Sequence, residues 1–140
     1  MEAWNTGGAQ RLRQDELWRH TCCEAFIKRS KGYHELNFAP NGDWAAYTFA
    51  DYRDGRSLPN IATPVADAHR RGDSWQLQAF VDLSALPDLN DSEPWTLGVS
   101  AVMERKDGGI SYWALAHPPG KPDFHHPDSF TLTLPPLEPA

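Results

Sequence analysis

Residues 111–130, SYWALAHPPGKPDFHHPDSF, are the stretch around which the rest of the chain is organised. They predict a strand, a rigid loop and another strand, because the centre holds four prolines and one glycine. The same loop gathers basic and acidic side chains where the backbone is stiffest: His117, Lys121, Asp123, His125, His126 and Asp128. The stretch therefore predicts a rigid closure of a β-structure and a candidate ligand site.

The segment just upstream, residues 95–115, predicts the clearest hairpin of the chain. Apolar residues alternate with small or polar ones from Trp95 to Met103, and Asp107-Gly108-Gly109 turns the chain back. Further strands are predicted at residues 21–28, 33–38, 44–49 and 75–81, with Asn41-Gly42 as a hairpin turn. About seven short strands without a long helix predict an all-β fold, an antiparallel β-sandwich or barrel.

The remaining segments are predicted to be connections and ends of one domain. Residues 51–71 are divided by Gly55, Pro59 and Pro64 into pieces too short for a helix, so they predict either a crossing between sheets or a loop that covers a site. Residues 82–86 predict a single helical turn. The domain prediction is an irregular segment at 1–17, a sandwich at 18–134 and a loose proline-rich tail at 135–140.

Composition excludes several classes of protein. The net charge is −6 and the 13 basic residues are scattered, which argues against a nucleic-acid partner. No apolar run is long enough for a signal peptide or a membrane span. The adjacent Cys22 and Cys23 point to opposite sides of a strand and are expected to be two thiols. Together these features predict a cytoplasmic protein that binds neither nucleic acid nor membrane.

Four segments resemble, in their order, the landmarks of the DOMON-like, carbohydrate-binding-module-9-like family: LWRHTCCEAF, YHELNFAPNGDWAAYTF, WTLGVSAVMERKDGGISYWALAHPPG and DFHHPDSF. The resemblance covers nearly all of residues 18–134. It implies a jelly-roll-like β-sandwich that binds a sugar or, in some relatives, haem. Family members generally carry several strands before the position of Trp18, and residues 1–17 show no alternation to supply them. The sandwich is therefore expected to lack N-terminal strands. Either the true start lies upstream, which we favour, or an unpaired sheet edge is repaired by a homodimer.

Sugar-binding modules stack aromatic rings on a pyranose and bond its hydroxyls with carboxylates, amides and basic groups. The aromatic candidates are Trp18, Trp44, Tyr47, Tyr52 and Trp113, although packing in the core is the favoured role for each of them. The polar candidates are Arg19, Glu24, Asn37 and Arg53, together with His117, Lys121, His125 and His126 of the loop. Glu24 and Asn37 interrupt apolar strands, so facing inward they would need a structural ion pair or a ligand as partner.

Other chemistries are weaker alternatives. The aspartates and histidines of the loop suit a transition metal, but their spacing is not a zinc signature, so bonding to loop backbone is the favoured role. Met103 could ligate haem, yet it continues an apolar stripe typical of a core. No poised nucleophile or phosphate loop is present. We predict a non-catalytic carbohydrate-binding module without a cofactor. The alternative is a structural or protein-interaction sandwich, and a haem- or metal-binding protein is third.

Overall fold

The computed structural model describes residues 11–86, 88–89 and 93–136. Within these ranges the regular elements are strands and two short 3₁₀ helices. The strands are β1 Cys22–Lys28, β2 Tyr33–Phe38, β3 Trp44–Phe49, β4 Val65–Arg71, β5 Ser74–Phe80, β6 Trp95–Glu104, β7 Ile110–Ala114 and β8 Leu132–Leu134. The first 3₁₀ helix is Leu17–Arg19 and the second is Pro127–Ser129. No helix in this part of the chain is long and apolar enough to cross a membrane.

The described strands form two antiparallel sheets. The larger has six strands in the order β3-β2-β1-β6-β7, and β8 pairs with β6. Val102 of β6 pairs with β1 on one side and with β7 on the other, and Leu97 of β6 pairs with β1 and with β8. The strands β7 and β8 therefore lie one after the other along the same edge of β6. The smaller sheet is the β4–β5 hairpin. The prediction of an all-β, sandwich-like antiparallel fold is confirmed.

The hairpin packs on one face of the larger sheet, which we call the hairpin face. Side chains from every second position of β1, β2 and β3 meet residues of β4 and β5 there; the buried ones include Ile27, Leu36, Phe38, Trp44, Ala46 and Ala66. Burial of such side chains supplies the driving force for folding, about 25 cal/mol per Å² of apolar surface. The prediction that alternating apolar residues form a half-buried strand holds for β5, whose Leu77 and Ala79 join this core.

The prediction that residues 51–71 are entirely a connection is wrong, because Val65–Arg71 form β4. The inward positions of this strand are Ala66 and Ala68, whose small side chains carry little hydrophobic signal. Its outward positions include Asp67 and His69, so it reads as a polar loop. Its pairing with β5 supplies the backbone partners that a strand needs.

The segment before the first 3₁₀ helix is attached to the edge of the larger sheet. The Trp44 N–H donates to the Leu12 carbonyl and the Gln14 N–H donates to the Trp44 carbonyl, at 3.0 and 2.8 Å. Arg13 places its guanidinium over the Trp44 ring, 4.8 Å from the ring centroid. Residues 1–10 of the predicted irregular segment and 137–140 of the predicted tail lie outside the described residues.

Candidate ligand-binding cleft

The opposite face of the larger sheet, which we call the cleft face, is covered by loops. Strand alternation places Glu24, Phe26, Glu35 and Tyr47 on this face. Trp18 of the first 3₁₀ helix and residues 122–130 pack over it. Between them lies a cleft of about 460 Å³, lined by Trp18, Glu24, Glu35, Tyr47, Phe49, Arg53, Arg56, Val102, Tyr112, Pro122, Phe124 and His125. Its volume falls within the range of small-molecule sites, roughly 300–1,000 Å³.

Two carboxyl groups lie in the floor of the cleft. Glu24 on β1 and Glu35 on β2 are 5% and 3% exposed. Glu24 stands opposite Asn37 in the strand register and Glu35 stands opposite Phe26, so the two acids are diagonal neighbours on one face. A buried acidic pair is expensive unless protons or partners compensate the charge.

Burial raises the pKa of Glu24, and the neighbouring Glu35 carboxylate raises it further. Burial also raises the pKa of Glu35, while the adjacent Asn37 amide, Arg53 and Glu24 act in the opposite direction. A like-charged neighbour keeps one member of such a pair protonated. The pair therefore shares a proton to a higher pH than exposed carboxyls would.

His125 links this pair to the loop that follows β3. The Arg53 backbone N–H donates to the Tyr33 hydroxyl at 3.1 Å, and the same hydroxyl shares a hydrogen bond with His125 Nδ1 at 2.6 Å. The other ring nitrogen, Nε2, faces Glu35 Oε1 at 3.5 Å, so the neutral tautomer with its hydrogen on Nε2 matches both neighbours. Burial lowers the pKa of His125 to about 4, which favours this neutral form. The chain of bonds orients a neutral donor at the carboxylate of Glu35.

Packing holds the His125 ring in place. Phe26, Tyr33 and Phe49 surround it with ring centroids 5.0, 5.5 and 5.3 Å away, all edge to face. This arrangement satisfies the preference of aromatic pairs for edge contacts. The imidazole is therefore part of the cleft's rigid wall.

Two arginines stand at the rim. The Arg53 guanidinium donates to Asp123 at 2.8 Å, and the Tyr52 hydroxyl donates to the other oxygen of the same carboxylate. Although Asp123 is partly buried, these bonds hold its pKa below the usual range. Arg56 lies over the Tyr47 ring, 5.1 Å from its centroid. Each rim arginine is thus paired with an aspartate, Arg53 with Asp123 and Arg56 with Asp15 at 3.9 Å, which fixes the position of its guanidinium.

Aromatic rings form the side walls. Trp18 meets Tyr47 edge to face at 5.9 Å, and Tyr112 meets Phe124 in the same way at 6.1 Å. Tyr47 and Phe124 are buried, whereas Tyr112 is about half exposed and Trp18 is partly exposed. Trp18 and Tyr112 therefore offer accessible ring surface to a ligand.

Unpaired polar groups lie beside the acids. Asn37 is fully buried beside Glu35 and lowers the pKa of that carboxyl, yet neither polar atom of its amide reaches a described residue with the distance and angle of a proper hydrogen bond. The Ser100 hydroxyl is also buried without a partner there. Ser100, Glu24 and Asn37 occupy one cross-strand row, on β6, β1 and β2. Each unpaired group costs roughly 1–3 kcal/mol, a penalty that functional sites tolerate more often than cores do.

The structure brings together part of the predicted site. Five of the predicted residues line the cleft, namely Trp18, Glu24, Tyr47, Arg53 and His125, and Asn37 lies next to Glu24 beneath it. Glu24 and Asn37 both face inward, as the interruption of their apolar strands indicated. A structural ion pair of Glu24 with Arg19 or Arg53 is not formed among the described residues, because Arg19 pairs with Glu16 and Arg53 with Asp123.

The other predicted residues lie elsewhere. Trp44 is 4% exposed in the core of the hairpin face, and Trp113 lies on the same face at 63% exposure. His117 packs near the Phe124 ring, and Lys121 is exposed. His126 caps the second 3₁₀ helix by accepting the Asp128 N–H, as the backbone-bonding role predicted.

Sequence reasoning missed Glu35, Arg56, Tyr112 and Phe124. Glu35 belongs to a strand that alternates apolar residues with Tyr33, Glu35 and Asn37, a pattern that normally places the polar set in solvent. The sandwich buries both faces of β2, which alternation alone does not reveal. The aromatic Tyr33 within the polar set is the one signal that this face is also covered.

Other concave regions are less suited to a small ligand. A wider groove of about 1040 Å³ runs past the first 3₁₀ helix, but exposed charged side chains such as Arg19, His20 and Asp73 line it. Nowhere in the described ranges do three or more His, Cys, Asp or Glu side chains converge as a metal site requires. Comparisons of the chain with family models, curated proteins and solved structures found no significant match.

Proposed function

We propose that this chain is a non-catalytic binding module for a neutral, polyhydroxylated ligand such as a mono- or disaccharide, held in the cleft. The observation that carries the proposal is the buried Glu24–Glu35 pair, which lies on neighbouring strands in the floor of the cleft. A carboxyl and a carboxylate side by side offer both a donor and acceptors, the combination that sugar hydroxyls require.

The walls and rim support the same ligand class. Trp18 and Tyr112 provide ring surface for the apolar side of a sugar ring. Arg53 and Arg56 add fixed donors for hydroxyl or ring oxygens. The ordered neutral His125 adds a further donor next to Glu35.

Binding is favoured over glycoside hydrolysis by the closeness of the two acids. Glycosidases hold their catalytic carboxyls about 5–9.5 Å apart, to leave room for a bond and a water. Glu24 and Glu35 are diagonal neighbours on adjacent strands and lie close enough to shift each other's pKa. Such a pair suits recognition of a hydroxyl group.

Isothermal titration against neutral mono- and oligosaccharides tests the proposal. We expect Glu24→Gln to weaken binding by roughly threefold or more and Arg53→Ala by roughly tenfold or more, since a neutral hydrogen bond contributes about 0.5–1.5 kcal/mol and one to a charged group about 1.5–3 kcal/mol. Trp18→Ala should weaken it as well, whereas Phe80→Ala, on the exposed outer side of the hairpin, should not. Absence of binding across the panel, or equal effects of Trp18→Ala and Phe80→Ala, would contradict the cleft as the site.

A further inference from the structure

The β4–β5 hairpin covers the hairpin face unevenly. Exposure of side chains on this face rises across the sheet, from 0% for Ala46 on β3 and 4% for Leu36 on β2 to 39% for Val99 on β6 and 63% for Trp113 on β7. The hairpin therefore lies over β3 and β2, and the face of β6, β7 and β8 extends beyond it as a step.

An apolar trough of about 880 Å³ runs along this step, between β5 and the uncovered strands. Val99, Trp113, Leu115 and Leu134 are its most exposed side chains, at 39–64%. Apart from the buried Glu24, no described residue that lines the trough is charged. A large uncharged patch of this kind marks an interaction surface more often than free solvent contact.

Two backbone edges border the step. One edge of β5 pairs with β4, and one edge of β7 pairs with β6; no strand in the described ranges pairs with the other edge of either. Unpaired edges readily add a further strand. The trough thus combines an uncovered apolar face with two open edges.

We propose that a second copy of this chain fills the trough, with the steps of the two copies packed on each other. A two-fold axis parallel to the strands, midway between the layers, would bring the uncovered face of one copy onto that of its partner. Each step is about two strands wide, roughly 10 Å, so the two steps match in width. The β5 edge of each copy would then meet the β7–β8 edge of the other, and both open edges would be paired.

The simpler arrangement, direct pairing of β5 with the partner's β5, does not fit. It would put both larger sheets in the same layer, where β6 and β7 of each copy extend past their own hairpin. The two sheets would collide. The stepped arrangement avoids this because the larger sheets lie in different layers.

The buried area is sufficient for association. The four exposed trough side chains, together with the half-buried Ala101 and Met103, would bury roughly 500 Å² of surface per copy. This area assumes that each of the largest side chains loses about half of a total surface of 150–250 Å². Two copies reach the roughly 1,000 Å² that a specific interface needs. The cleft lies on the opposite face and stays accessible, so the interface and the proposed function can fail separately.

Sedimentation velocity of the full chain, from micromolar to several hundred micromolar, tests the dimer. We expect a concentration-dependent species of twice the 15.7 kDa chain mass. Trp113→Glu should weaken dimerisation by more than roughly tenfold, because it places a charge at the centre of the interface. Val65→Glu is the matched control: Val65 is 42% exposed on the outer side of β4, the strand of the hairpin that does not line the trough, and its substitution should leave the dimer unchanged.

Circular dichroism checks that each variant is folded. If Trp113→Glu does not fold, Leu115→Lys, just beyond the end of β7, takes its place in the experiment. A folded wild-type chain that stays monomeric at every concentration overturns the proposal. Binding of a hydrophobic dye or an apolar peptide to the trough of such a monomer would not rescue it, because the proposed occupant is a second copy. A dimer that Val65→Glu breaks and the trough variants keep overturns it too, since the interface then lies outside the step.

Discussion

Individual residues on the cleft face carry polar groups that the fold does not compensate. Glu24, Glu35 and Asn37 are all buried, yet the first two share a proton and the third has no partner among the described residues. In a core evolved for stability alone, apolar residues of the same size would pack better. This cluster is therefore the place where substitutions should separate stability from binding.

Asn37→Leu should raise the free energy of unfolding by about 1 kcal/mol, because it removes two unpaired buried polar atoms and retains similar volume. The same variant should bind saccharide less well. Urea unfolding and titration calorimetry measure the two effects. Asn41→Leu serves as control and should destabilise the protein, since its side chain bonds Asp43 twice. A less stable Asn37→Leu protein would contradict the unpaired state of the amide.

The carboxyl pair should make stability fall as pH rises. Because burial raises the pKa values of Glu24 and Glu35, the folded protein retains protons that unfolded Glu releases above about pH 4.3. This stabilisation is complete below that pH and is lost as pH rises through the raised values. The lowered pKa of His125 has the opposite sign, because its penalty appears only below the unfolded histidine value of about 6.5.

Between about pH 6.5 and 8, we therefore expect the free energy of unfolding to decrease, by up to about 1.4 kcal/mol per pH unit for each proton released. Burial also raises the pKa values of Cys22 and Cys23, which lowers stability with rising pH in the same direction, but only near and above the unfolded cysteine value of about 8.5. Urea unfolding at several pH values gives the slope. Glu24→Gln should flatten it and the exposed Glu93→Gln should not. A slope that survives Glu24→Gln would assign the pH dependence to other groups.

At the scale of elements, the turn between β1 and β2 sets the register of the site. Gly32 has φ +80°, and a Cβ there would lie 1.9 Å from the Phe49 carbonyl oxygen. This turn fixes the pairing of Lys28 with Tyr33, and through it the pairing of Glu24 with Asn37. A slip by one residue would send both polar side chains to the other face.

Gly32→Ala should destabilise the protein by on the order of 3 kcal/mol, since it combines a left-handed backbone with a clash against main chain. Gly72→Ala is the matched control in the β4–β5 turn: φ is +58° but no atom lies within 4 Å, so about 1–2 kcal/mol is expected. Chemical denaturation compares the two variants. Equal losses would show that backbone conformation alone, without the Phe49 contact, decides the effect.

The whole molecule is asymmetric, because a two-stranded sheet faces a six-stranded one. Apolar burial is greatest at β2 and β3 and least at β7 and β8. Local stability follows buried apolar contact, so opposite ends of the larger sheet should open at different free energies.

Hydrogen exchange at low protein concentration should show the slowest amides in β1 and β2, which are paired on both sides, and the fastest in β7. The edge strand β3 should resemble β2 more than β7, because residues 12–14 and the hairpin cover it. Mass spectrometry after labelling resolves these segments. Similar protection of β3 and β7 would contradict a stability gradient across the sheet.

The sequence by itself determined the fold class and most of the strands. Alternation and turn residues located β1, β2, β3, β5, β6 and β7, because these signals are local. Local pattern also marked Glu24 and Asn37 as misfits in apolar strands. The resemblance to sugar-binding modules and the saccharide ligand remain predictions.

Only the tertiary structure decided which face each candidate serves. Trp44 and Trp113 lie on the hairpin face, and Trp18, Glu35, Arg53 and His125 converge on the other from segments far apart in the chain. The strand β4 was not predicted, because its inward residues are alanines, which give only a weak hydrophobic alternation. Its pairing with β5 becomes visible only in the structure. Which residues meet in the cleft, and which face of the sheet is covered, depend on pairing between strands far apart in the chain. Alternation with a period of two shows that a strand has two faces, but it does not show which face will be covered or which segment will cover it.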